Sequence, residues 1–88
     1  MYKVSLIIRV KEGNSEFNFF AMQTANNLNL DGFVKLINDG IYLIEVEGKE
    51  DQINNFVECC NTNPEGGDIT EYKLKTNQKK KFSAFLTL

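Results

Sequence analysis

The sequence predicts an α+β fold, a two-layer sandwich with two helices on one face of a mainly antiparallel sheet. Three observations lead there. Two stretches carry their apolar side chains at offsets of three and four: Phe17, Phe20, Ala21, Thr24, Ala25 and Leu28, then Ile53, Phe56, Val57 and Cys60. Short β-prone segments flank and separate them in the order β-α-β-β-α-β, with one further strand at the end. Finally, 88 residues with 42% hydrophobic content form one domain, residues 1–88, with a modest core. That order over an antiparallel sheet is the split β-α-β, or ferredoxin-like, arrangement.

The elements follow in turn. From Tyr2 to Val10 the chain alternates, with Tyr2, Val4, Leu6, Ile8 and Val10 on one side and Lys3, Ser5 and Arg9 on the other. Ile7 breaks the polar side, which fits a central strand covered in part on both faces. The polar run 11–16 is a loop, with Asn14 or Ser15 as helix N-cap and Glu16 in the first turn, facing the positive helix end. Asn26, Asn27 and Asn29 close that helix with turn-forming chemistry.

Strands follow over about 32–37 and 41–47, joined by the hairpin signal Asn38-Asp39-Gly40. The second helix runs over about 49–60, with Glu50 and Asp51 in its first turn. Residues 61–67 are a loop. A strand over 68–76 turns Tyr72 and Leu74 inward and keeps Glu71, Lys73 and Lys75 wet. A lysine-bearing solvated turn over 77–81 precedes the last strand, 82–88.

Composition narrows the function classes. A net charge of -2 argues against a general nucleic-acid binder. No apolar run approaches the roughly 20 residues needed to span a bilayer, and no cleavable signal pattern surrounds the short VSLII run, so the expected location is cytoplasmic. Cys59 and Cys60 are adjacent and the chain has no histidine, so buried free thiols are expected rather than a disulfide or zinc site. The lack of histidine also excludes a Ser-His-Asp triad, and there is no P-loop or dinucleotide fingerprint.

Phe17, Ala25, Leu28-Asn29-Leu30, Gly32-Phe33-Val34, Asp39-Gly40, Glu47-Gly48, Phe56 and Pro64, spaced without gaps over residues 9–64, carry a resemblance to the acylphosphatase family. Phe17 matches the aromatic that ends that family's glycine-rich loop, and Ala25 its helix alanine. Leu28-Asn29-Leu30 stands for Leu-Gly-Leu, Gly32-Phe33-Val34 for Gly-Trp-Val, and Asp39-Gly40 for the hairpin. Glu47-Gly48, Phe56 and Pro64 fall on a glycine, a helix phenylalanine and a Gly-Pro turn, and Phe82 begins the equivalent last strand.

The resemblance implies hydrolysis of carboxyl-phosphate anhydrides without metal or cofactor. Loop amides and one arginine would hold the phosphate, and one asparagine would orient the water. Here the arginine position is Asn18 and the asparagine position Leu36, so no catalytic residue is expected. The phosphate-loop equivalent, Glu12, Gly13, Asn14, Ser15, Glu16 and Phe17, brings two carboxylates where an anion would approach. Like charges repel by about 1 kcal/mol at 4 Å in water and by more in a cleft. Arg9, the single arginine, is a solvated strand residue or a distant substitute anchor.

Other clusters have plain readings. Lys79, Lys80 and Lys81, with Lys73 and Lys75, form a solvated turn or an anion patch. Phe19 and Met22 make a second apolar pair that joins the core or meets a partner. Glu45 and Glu47 share one strand face, read as exposed. Three functions compete: a catalytically inactive relative acting as a binding or interaction module, a working acylphosphatase with a rearranged anion site, and a ferredoxin-like oligomeric or ligand-sensing domain. The expected partner is a protein or a small anion, not nucleic acid or membrane, and the expected state a monomer or weak homo-oligomer.

Overall fold

The computed structural model describes residues 1–10, 16–63 and 66–88. The elements are β1 (Tyr2–Arg9), α1 (Phe17–Asn27), β2 (Asp31–Asn38), β3 (Ile41–Gly48), α2 (Glu50–Thr62), β4 (Asp68–Lys75) and β5 (Phe85–Thr87). They build a five-stranded sheet in the order β4-β1-β3-β2-β5. The β1–β3, β1–β4 and β2–β3 pairs are antiparallel, and β5 joins β2 in parallel. This is the ferredoxin-like sandwich with one added strand.

Strand alternation selects the core. Val4, Leu6 and Ile8 of β1, Ile44 and Val46 of β3 and Val34 of β2 are fully buried, in one cluster with Phe17, Ala21 and Ala25 of α1 and Ile53, Phe56 and Cys60 of α2. Burying an aromatic or branched side chain of this size contributes about 1.5–3 kcal/mol. Both helices therefore pack on the same sheet face. No helix among the described residues is long and apolar enough to cross a membrane.

Local chemistry sets the turns. After α1 the chain closes through Asn29, whose left-handed φ of 56° lets the Leu30 amide donate to Ala25 O at 2.9 Å. At the hairpin, Gly40 has φ 68°, and Asn38 Oδ1 accepts from the Asp39 amide at 2.8 Å. Gly32 is required by contact as well as by φ, which is 150°. A Cβ there would lie 1.8 Å from Glu45 O on the neighbouring strand.

Several expectations are corrected. Glu16 occupies the N-cap position rather than the first turn and makes no side-chain cap bond; Asn14 and Ser15, the expected caps, lie outside the described residues. Tyr72 and Leu74 stand beside Leu6 and Val4 on the helix-facing side, yet they are 46% and 41% exposed. The reason is sheet order: β4 is an edge strand with a neighbour on one side only, and of the helix-facing β4 residues it is Ile69 that packs against the core.

The final strand is three residues long, so Phe82 precedes it within a strap formed by residues 76–84. Phe19 is 54% exposed, outside the core, whereas Met22 packs against it. Glu47 is the largest departure: expected on an exposed face, it is 2% accessible. The strap covers it.

Candidate functional site

The positions singled out by family resemblance converge where β1 ends, α1 begins and the β2–β3 hairpin turns. The Val10 amide donates to Gly40 O at 2.8 Å, tying the exit of β1 to the hairpin. Phe17, the first residue of α1, packs its ring on Tyr42 at 4.6 Å and on Phe20 at 6.0 Å. Tyr42 in turn stands directly across from Leu36. The sequence thus brings Phe17 and Leu36 to the two sides of one buried tyrosine, beside a helix N-terminus. Such a terminus has unpaired amides and a positive end, a natural place for an anion.

Among the described residues, the side chains there do not complete an anion site. Asn18 sits in the first turn of α1 and carries no charge; its Oδ1 is buried without a hydrogen-bond partner among the described residues. A buried acceptor left unpaired costs about 1–3 kcal/mol, and it repels an anion rather than attracting one. Leu36, the position that the resemblance assigns to a water-orienting amide, is an apolar side chain and 50% exposed. Asn38 is no replacement, because its Oδ1 is engaged by the Asp39 amide in the hairpin. Glu16 is exposed at the N-cap, while Glu12, Gly13, Asn14 and Ser15 lie outside the described residues, as does Pro64.

Arg9 ends β1 at the same end of the sheet. It is exposed, has no ion pair among the described residues, and lines a cleft of about 310 Å³ with Asn61, Gly66, Gly67 and Asp68. Asp68 stands across from it on β4 and partly offsets its charge for any anion entering there. Among the described residues no group of three or more Cys, Asp or Glu is arranged to hold a metal. Cys59 and Cys60 are free thiols, and burial pushes the Cys60 thiol up to about 12, with Cys59 adding to the shift. Cys60 is therefore not poised as a nucleophile.

One feature escaped the sequence reading, and a second takes up its anion-patch alternative with a different set of lysines. At the opposite end of β3, both Glu47 oxygens accept from the Lys81 amide, at 3.0 and 2.9 Å, and Oε2 accepts from the Phe82 amide at 3.1 Å. Lys80 bonds Asp31 and stands 3.8 Å from Glu47, and the Asp31 carboxylate holds its ammonium above the usual lysine range. The lysine-rich turn is therefore a docked strap, not free coil. The second feature is a lysine-lined cleft on the sheet face away from the helices. Its signal was present in the alternating Lys73 and Lys75 of β4, but strand pairing was needed to bring Lys3 of β1 beside them.

Comparison with known proteins agrees with the fold and the resemblance. The acylphosphatase family model matches residues 13–86. An acylphosphatase from Borrelia garinii subsp. bavariensis is 32% identical over 77 residues, covering 86% of this chain and 83% of that protein. The crystal structure of acylphosphatase from Bacillus subtilis superimposes with a TM-score of 0.82 at 22% identity, covering 100% of this chain and 99% of that one. Full-length HypF matches over 100% of this chain but only 12% of its own, with a TM-score of 0.75 and 28% identity. From its loop–helix–hairpin core to its last strand, the chain belongs to the acylphosphatase family.

Proposed function

We propose that this chain retains the acylphosphatase fold without appreciable acyl phosphate hydrolysis and serves as a binding or interaction module. One observation supports the reading: the positions that the family resemblance assigns to holding the anion and orienting water carry the neutral Asn18, with a buried unpaired Oδ1, and the half-exposed Leu36. Attack of water on a carboxyl-phosphate group moves negative charge onto the phosphoryl oxygens. A site lowers that barrier with fixed donors and a positive fork aimed at those oxygens. Losing one preorganised donor costs about 10²–10³ in rate, and here the charge and the water-holding amide are both replaced.

A second reading is favoured by the 32% identical relative named acylphosphatase and by Arg9, exposed at the same end of the sheet and without an ion pair among the described residues. In it, Arg9 swings toward the loop and anchors the phosphate. Hydrolysis of benzoyl phosphate decides between the two. Wild type is compared with Arg9→Ala and with the double variant Asn18→Arg, Leu36→Asn. The first reading expects no turnover above buffer in wild type and a gain in the double variant. Enzymatic turnover in wild type, abolished in Arg9→Ala, would sink it in favour of the rearranged site.

A further inference from the structure

We propose that the sheet face turned away from the helices binds an oligophosphate chain, free or carried by a nucleotide. The site is a cleft of about 360 Å³ whose lining includes Lys3, Ser5, Glu45, Lys73, Lys75 and Lys81. That volume lies at the lower end of the range for small-ligand pockets.

Strand alternation puts these groups together. Lys3 and Ser5 point opposite to Val4 and Leu6, away from the core, and the register sets Lys3 directly across from Lys75 and Ser5 across from Lys73. The strap then lays Lys81 over the same face, its ammonium 5.4 Å from the Phe82 ring centre. Four ammonium groups meet one lining carboxylate in a chain whose net charge is -2. Glu45 is engaged by Lys3 at 3.4 Å and Lys73 by Glu71 at 3.0 Å, while Lys75 and Lys81 have no carboxylate partner among the described residues. Lys3 is only 13% exposed at its side chain, so its charge is poorly screened by water.

Like charges directly opposite across a strand pair destabilise it, and an anion between Lys3 and Lys75 reverses that sign. The positive groups are spread over two strands about 4.8 Å apart and two successive outward positions about 6.7 Å apart. A single phosphate cannot reach them all, whereas linked phosphates can. Single-stranded nucleic acid fits less well, because it needs free aromatic faces for stacking. Phe82 is packed against Phe33 at 5.8 Å and flanked by Lys3 and Lys81. The cleft lies on the opposite face of the sheet from Leu36 and Phe17, so it stands whether or not acyl phosphates are hydrolysed.

The test is titration of the full chain with inorganic tripolyphosphate at low salt, followed by calorimetry and by amide NMR shifts. One saturable site is expected, with shifts concentrated in β1, β4 and the strap. Lys75→Glu and Lys81→Glu, both at exposed positions, should each weaken binding about tenfold without lowering the thermal midpoint; Lys75→Glu, which sets opposite charges across the strand pair, should raise it slightly. Adenosine triphosphate binding equally would assign recognition to the phosphates; tighter binding would add a nucleoside contact. Absence of saturable binding at millimolar ligand, equal binding by the charge-reversed variants, or sulfate matching tripolyphosphate at equal ionic strength would overturn the proposal. So would a single-stranded oligonucleotide that outcompetes tripolyphosphate.

Discussion

Removing the Glu47 carboxylate should loosen the C-terminal quarter of the sheet before anything else. Its two oxygens accept from the Lys81 and Phe82 amides at 2.9–3.1 Å, and it is 2% accessible. Hydrogen bonds to a charged acceptor are worth about 1.5–3 kcal/mol each, so two amides set a ceiling of about 3–6 kcal/mol. A strap set free regains conformational entropy, which brings Glu47→Ala to a net loss of about 2–4 kcal/mol. Glu47→Gln keeps the shape and one acceptor and should lose about 1–2 kcal/mol. A chain of 88 residues has a total stability of about 4–13 kcal/mol, so the alanine variant forfeits a large share. With a urea slope of about 1 kcal/mol per molar, its midpoint should fall by about 2 M or more. Amide exchange supplies the local readout: Lys81 and Phe82 should lose protection in Glu47→Gln while β1 and β3 keep theirs. A Glu47→Ala midpoint within error of wild type, or unchanged protection at Lys81 and Phe82, would refute the reasoning.

The remaining predictions test other parts of the fold. Gly32→Ala drives a Cβ to within 1.8 Å of Glu45 O at a φ of 150°, so it should cost more than about 4 kcal/mol and abolish the cooperative thermal transition; a folded variant with a wild-type midpoint would contradict this. Cys60 retains its proton in the folded state up to about 12 but releases it near 9.0 when unfolded. Between those values the folded state binds more protons, so stability falls as pH rises, by at most about 1.4 kcal/mol per unit. Urea midpoints of wild type and Cys60→Ala across that window should show a shallower decline in the variant; parallel slopes would refute the assignment. Leu36→Asn alone, at a half-exposed position, should change stability by no more than about 0.5 kcal/mol, which circular-dichroism melting checks directly.

Much of this molecule is written in local pattern. The alternation of β1, the stripes of α1 and α2 and the glycine and asparagine turns at 29–32 and 38–40 each depend on neighbours a few residues apart, and the structure realises them. The family resemblance was legible for the same reason, because its matches from Phe17 to Asp39-Gly40 fall at spacings without gaps. Other properties belong to sheet order and to long-range contact. Tyr72 and Leu74 alternate as a buried strand would, but β4 became an edge and left them half in water. Glu47 reads as a solvent-facing residue, and its burial depends on amides 34 and 35 residues further along the chain. The sequence grouped Lys73, Lys75 and Lys81 as a solvated turn or an anion patch, but strand register and the docked strap were needed to bring Lys3 of β1 into the same cleft. Local periodicity encodes which face of an element is apolar; only the packed sheet decides what covers that face and which distant charges become neighbours.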